Sequence, residues 1–335
     1  MKRKVGVGVA MCLVALLATA AAAQPVKIGI CKFLDHPALN AVEKGTMDAL
    51  TAAGYVVGVD VEFIISDAQA DPNNSIPIAQ SFAAQGVGIV VAIATPMAQA
   101  AAEVFAGTDV PIVFSAVTDP LAAGLVESAT DPSQNGNITG VSDLIDVAAD
   151  LALLKELDPA VQKIGLVYNP GEANSVALTE TALEAGPALG LTIVTAIADS
   201  TANVPMAAQS LIGRVDAFYV TTDNTVVSAI DAIIAAAEEG GVPFLMADPT
   251  SLEFGPTLAT GHDYYRHGLI TGGFVAQILE GASPSELAVV YQQGPEVFLN
   301  LDAAATIGIK FPQPLIDQAS GIYFGGALWG AGEDS

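Results

Sequence analysis

The sequence predicts an α/β protein made of two similar lobes, each a doubly wound parallel sheet, joined by a hinge. Three observations predict it. Short apolar runs alternate with helix-length segments, the pattern of parallel strands covered on both faces. That pattern starts twice, at "KIGICKF" from Lys27 and at "KIGLVYN" from Lys163. A Gly/Asn/Pro-rich passage, "DPSQNGNITG", divides the two series.

In the first series "VKIGICKF" reads as a strand and 37–53 as a helix stopped by Gly54. "VEFIISDA" is the next strand, 72–85 a helix, "GIVVAIAT" a strand, then a helix opened by Pro96 and the strand "PIVFSAV". After "NITGVSD" and a helix over 144–157 the second series begins. It runs "KIGLVYN", helix 172–189, "LTIVTAIA", helix 204–212, "DAFYVTT", helix 226–239 and "VPFLMAD". Lys27, Gly29 and Gly54 have like residues at one constant offset, at Lys163, Gly165 and Gly190, and "VPIVF" is echoed by "VPFLM". A repeat also fits one large sheet or a barrel. The length of each series, that of a single doubly wound sheet, favours separate lobes.

The remaining chain, "PTLATGHDYYRHG" with a helix to about 280 and then "LAVVYQQGPEVFLNLDAAATIGIKFP", fits two further crossings between lobes. The expected organisation is therefore 26–142 plus 256–289 for the N-terminal lobe and 143–255 plus 290–319 for the C-terminal lobe. The Gly-rich end, 320–335, has no period and reads as a disordered tail that strands the single tryptophan, Trp329.

Lys2, Arg3 and Lys4, an apolar run, and the alanines at Ala21–Ala23 predict a signal peptide over 1–23 and a periplasmic mature chain from Gln24. The alternative is an uncleaved anchor, since the run is almost long enough to span a bilayer. Export leaves Cys31 as the one cysteine, which rules out an internal disulfide and reads as a buried structural thiol. Eleven Lys+Arg against 36 Asp+Glu give a net charge of −25, which repels nucleic acid and anionic lipid.

Ligands of open parallel sheets bind beyond the carboxyl ends of the strands. The residues following each strand are Phe33 with Leu34, Asp35 and His36; Thr95; Ser115, Thr118 and Asp119; Asn169 with Glu172, Asn174 and Ser175; Thr222, Asp223 and Asn224; and Asp248. No arginine is among them, and only Arg214 and Arg266 remain after the signal. A guanidinium clamp on a carboxylate is therefore unexpected. A ligand anion would rest on helix N-terminal N–H groups and hydroxyls, while Asp223 and Asp248 would suit an ammonium. Together these describe a zwitterion such as a free amino acid. The same residue types also serve as helix N-caps.

Signals for an enzyme are missing: there is no G-x-S-x-G, and no histidine lies beside a nucleophile. His36, His262 and His267 lack metal spacing, so neither metal nor cofactor is expected. "GVGIVV" has its glycines before the strand, the wrong side for a dinucleotide loop.

The segments "HPALNAV", "TPMAQAA", "VTDPLAAGLV", "NITGVSD", "YNPGEANS", "TTDNTVVSA" and "GHDYYRHGLITGG" fall in one order. In that order they resemble the ABC transporter substrate-binding proteins of the tryptophan/tyrosine type, over about 26–319. The resemblance implies the type I periplasmic binding fold and a monomer that hands a small ligand, typically an aromatic amino acid, to a membrane permease and ATPase. It implies that Thr95, Ser115, Asn169, Ser175, Asp223 and Asn224 line the cleft. Asn40 stands where the family often has Asp, and the tail runs past the usual end. An apolar wall for an aromatic ligand is available in Phe33, Leu34 and Tyr168, whereas Tyr264–Tyr265 reads as core. The competing readings are a ligand sensor feeding a receptor, a sugar-binding protein of the same fold, and an exported hydrolase.

Overall fold

The computed structural model describes residues 24–330 apart from 293 and 295. The expected signal peptide, 1–23, and the end of the tail, 331–335, lie outside the described residues.

In the first half the apolar runs form β1 (Val26–Lys32), β2 (Val61–Asp67), β3 (Ile89–Ile93), β4 (Ile112–Ser115) and β5 (Ile138–Ser142). Helices α1 (Pro37–Ala52), α2 (Pro72–Gln85) and α3 (Thr95–Val104) connect them. Every residue of β3 and β4 is buried, as expected of strands with helices on both faces. His36 and Asp71 cap α1 and α2, each followed by a proline whose missing N–H costs nothing in a first turn.

The second half runs α4 (Val147–Leu157), β6 (Lys163–Tyr168), α5 (Ala173–Ala185), β7 (Thr192–Ile197), α6 (Val204–Gln209) and β8 (Ala217–Val220). It continues with α7 (Asn224–Val227), α8 (Ile230–Gly240), β9 (Phe244–Met246) and β10 (Leu258–Gly261). The strand orders β5-β4-β3-β1-β2 and β10-β9-β8-β6-β7 are the same topology, with all pairs within them parallel. The fold is thus α/β with two doubly wound lobes, and each order reverses beside its first strand, β1 or β6.

Packing explains the repeated glycines. A Cβ on Gly29 of β1 would lie 2.6 Å from the Phe82 ring, so its absence lets α2 press an aromatic face onto the strand. Gly165 of β6 does the same for Leu211 and Val215, each 3.2 Å from the missing Cβ. Gly54 and Gly190 end the following helical segments at φ 95° and 70°, a region glycine enters without penalty.

After β10 the chain returns to the first lobe as α9 (Tyr264–Leu279) and β11 (Val290–Tyr291). Gly45 of α1 and Gly268 and Gly272 of α9 face one another's backbones, so these two helices touch without intervening side chains. The chain then goes back to the second lobe as β12 (Glu296–Asn300), α10 (Leu301–Thr306) and α11 (Gln313–Gln318). The predicted boundaries shift accordingly. β10 pairs with β9 and β12 in the second sheet, so the second crossing falls at His262–Asp263 and not at 256. Val290 and Tyr291 pair with Val141 and Ser142 in the first sheet, so the third crossing follows 291. Strands of two to four residues with Thr and Gly in them carry too little periodicity to be assigned to a sheet from sequence.

The expected disordered tail needs correction over its described part. β13 (Gly321–Phe324) adds parallel to β12, and β14 (Ala327–Gly330) folds back on it antiparallel. The turn is Gly325–Gly326, both at positive φ, the backbone of a two-residue hairpin. The Gly-Gly pair between two apolar runs was the available signal. Trp329 stays 64% exposed, with its indole N–H donated to the Phe324 carbonyl at 3.3 Å.

Candidate functional site: a cavity between the lobes

The carboxyl ends of both sheets converge on a partly open cavity between the lobes. The first lobe contributes Leu34, His36 and Leu39 from the end of β1 and the start of α1, and Ala116 and Thr118 from beyond β4. The second lobe contributes Asn174, Thr222, Asn224, Val227, Met246 and Asp248. Asp143 and Tyr264, on or beside the crossing segments, complete the wall. Leu34, His36 and Val227 also border a wider groove with Asp35, Asp231 and Phe254, which adjoins the cavity.

The lobes are bonded across this space. Thr118 Oγ1 and Thr222 Oγ1 are 2.8 Å apart. His36 Nε2 lies 3.4 Å from Ser251 Oγ. His36 Nδ1 accepts from the Ala38 N–H at 3.3 Å, the N-cap bond of α1, so its proton is on Nε2 and faces the other lobe. Burial lowers the His36 pKa against the opposing pull of Asp248 and Asp35.

Seven residues expected from the sequence line the cavity: Leu34, His36, Thr118, Asn174, Thr222, Asn224 and Asp248. The others lie behind the wall. Phe33 is fully buried in the first lobe's core, and Leu34, itself buried, is the one of the two that borders the cavity. Tyr168 packs against the second lobe's core. Thr95 is buried at the start of α3, and Ser115 accepts from the Thr271 hydroxyl of α9 at 2.8 Å. Ala94 and Ala116, just past β3 and β4, have φ 77° and 51°. Left-handed alanines are strained, and strain of this kind gathers at functional sites.

Asn169, Ser175 and Asp223 form a closed network under the cavity floor. Asp223 Oδ2 accepts from the Asn169 N–H at 2.6 Å and from the Ser175 hydroxyl, while Oδ1 accepts from Val226 N–H at 2.9 Å as the N-cap of α7. Asn169 Nδ2 donates to Thr225 Oγ1 at 2.8 Å. Glu172, also among the residues expected after β6, accepts from the N–H groups of Asn224 at 3.2 Å and Thr225 at 2.9 Å. Burial and the neighbouring Glu172 push the Asp223 pKa up to about 7.

Asp248 likewise caps its own turn: Oδ1 accepts from Thr250 N–H at 2.9 Å and Oδ2 from Ser251 Oγ at 2.8 Å. Asp143 differs. Its Oδ2 accepts from the Tyr264 hydroxyl at 3.1 Å, while Oδ1 is buried without a donor. Burial raises its pKa. Asn174 donates from Nδ2 to the Thr222 carbonyl at 2.7 Å and leaves Oδ1 without a partner. No lysine or arginine is among the described residues of the wall. Asp143 closes the motif "NITGVSD" and Tyr264 opens α9, so both stand in legible motifs, but Tyr264 reads from sequence as core and Asp143 follows no strand of the list.

Two sheet lobes with a shared, doubly walled cavity define a solute-binding protein. The chain belongs to the ABC transporter substrate-binding protein family, whose profile matches residues 27–322. It is 32% identical over 283 residues to a protein named tyrosine-binding protein from Clostridioides difficile, covering 84% of this chain and 81% of that one. It superposes with a TM-score of 0.84 on an ABC domain from Streptococcus pneumonia in complex with L-Trp, at 30% identity, covering 89% of this chain and 99% of the other. A ligand-free, open substrate-binding protein with adhesive properties from Clostridium difficile, at 32% identity and covering 89% and 99%, superposes with a TM-score of 0.67.

Proposed function

We propose that this chain is the periplasmic binding component of an ABC importer and that it holds a free aromatic amino acid between its lobes. The carrying observation is the cavity walled by both lobes and crossed by the Thr118–Thr222 hydrogen bond. A ligand can favour closure only through contacts that the open form lacks, and a guest touching both walls supplies them.

The wall suits such a guest. Leu34, Leu39, Val227, Met246 and the Tyr264 ring are the apolar surface for an aromatic side chain. Thr118 and Thr222 hold two hydroxyl protons and use one in their mutual bond, and the Thr118 hydroxyl also acts on Asp143. At near-equal identity, the chain matches the L-Trp complex better than the open, ligand-free neighbour, which supports a closed arrangement. The permease and ATPase of the importer are the partners, and the binding protein acts as a monomer. Among the described residues no helix is long and apolar enough to cross a membrane.

A thermal-shift screen of the mature protein against the twenty amino acids and common hexoses tests the reading. A micromolar ligand at millimolar concentration stabilises by about 4 kcal/mol, a clear shift. Tryptophan, tyrosine or phenylalanine should give the largest one. A shift with hexoses and none with amino acids overturns the proposal.

A further inference from the structure

Resting on the amino-acid reading above, the geometry points to Asp143 as the anchor of the ligand's ammonium group, with Asn174 Oδ1 as the second acceptor. The two acids expected from sequence for that role are occupied. Asp223 does not line the cavity, and both its oxygens accept bonds within the second lobe. Asp248 lines it, but both its oxygens are taken by Thr250 and Ser251. Of the two carboxylates in the wall, Asp143 alone has an oxygen without a donor.

Asp143 is 3% exposed, and a buried carboxylate oxygen left unpaired costs far more than a paired one. Asn174 is also 3% exposed, and its orientation is set: the Thr222 carbonyl can only accept, so Nδ2 must face it and Oδ1 must face away. Two buried acceptors in one wall, with no lysine or arginine beside them, call for a donor from the guest. An ammonium has three N–H donors and the matching charge. The Tyr264 hydroxyl holds Oδ2 and thereby orients the carboxylate, with His262 the nearby imidazole.

Asp143 also sits on the first crossing between lobes. Its N–H donates toward Val117 O at 3.4 Å in the first lobe, and the next residue, Leu144, offers its carbonyl to His262 Nε2 at 3.3 Å on the second crossing. A ligand bound there is held by the hinge itself, so occupancy and hinge geometry are tied at one residue.

Titration calorimetry with L-tryptophan, L-tyrosine and their des-amino analogues, indole-3-propionate and 3-(4-hydroxyphenyl)propionate, tests the assignment. Wild-type protein should bind the better amino acid at least about 100-fold more tightly than its analogue, the range for breaking a buried charge pair. Asp143→Asn should weaken the amino acid by a similar factor and leave the analogue within about threefold, since no charge pair is lost with that ligand. Retained analogue binding shows that the variant is folded, and the wild-type comparison needs no variant at all. If wild type binds the amino acid and Asp143→Asn binds it equally well, or if wild type prefers the des-amino analogue, the anchor is wrong while the cavity reading stands. If wild type binds no amino acid, both fall.

Discussion

Thr118 Oγ1 and Thr222 Oγ1, 104 residues apart in sequence, meet at 2.8 Å across the boundary between the lobes. It is a side-chain bond that exists only while the lobes face each other. Such a bond has a net worth of about 1 kcal/mol, or roughly a fivefold change in an equilibrium. Thr118→Val keeps the shape and removes the hydroxyl. It should shift the ligand-free protein toward more extended forms in small-angle scattering and weaken ligand binding about fivefold or more, the surplus reporting a direct ligand contact. An unchanged scattering profile and affinity would show that the bond does not hold the lobes together.

Asp223 should govern stability more than recognition. Its Oδ2 accepts from a main-chain N–H and a hydroxyl at once. In Asp223→Asn, one oxygen is replaced by an NH2 that must face either these donors or the Val226 N–H, leaving buried donors unsatisfied at about 1–3 kcal/mol. The melting temperature should fall, and affinity for a cavity ligand, measured well below that temperature, should change little. A large loss of affinity with unchanged melting would return Asp223 to the binding site.

The pH dependence of stability follows from buried acids without basic partners. Burial and Glu172 hold Asp223 at about 7, and burial holds Asp150, bonded to the Tyr219 hydroxyl at 2.7 Å, at about 6. Both lie above the unfolded value of about 4. The native state therefore binds more protons than the unfolded state between those limits, so stability is greatest below about 4 from these groups and is lost as pH rises through 6 and 7. Melting temperature should be higher at pH 5 than at pH 8. Asp150→Asn, which keeps an acceptor for Tyr219, should flatten the slope near pH 6 if the attribution is right.

The repeated glycines should differ in tolerance. Gly29→Ala drives a Cβ to 2.6 Å from the ring of Phe82, itself fully buried, and should cost about 1–3 kcal/mol. Gly165→Ala meets two aliphatic side-chain ends at 3.2 Å, which can give way, and should cost less. Urea unfolding of both variants ranks them; equal losses would mean that the Phe82 ring is not the obstacle.

Trp329, the single tryptophan, reports on the terminal hairpin and not on the cavity. At 64% exposure its emission should be solvent-like and readily quenched by acrylamide. Titration with L-tyrosine should leave that emission unchanged. A ligand-dependent shift would connect the hairpin to closure.

What is local or periodic can be read from the residues alone. Apolar runs and capping residues marked the strands and helices, the echo of Gly29 at Gly165 and of Gly54 at Gly190 marked the repeat, and the carboxyl-end rule brought Thr118, Asn174, Thr222, Asn224 and Asp248 to one cavity. Composition made an arginine clamp unexpected because almost no arginine exists to form one. The short strands needed the folded chain to place them. β10 and β11 owe their places to pairing with distant partners, not to their own four or fewer residues. The folded chain also settles which acid is free. A carboxylate's role depends on whether its oxygens already have donors, and the donor to Asp143 comes from Tyr264, 121 residues away. Such partners are set by how the chain closes on itself, which residue type and spacing do not encode.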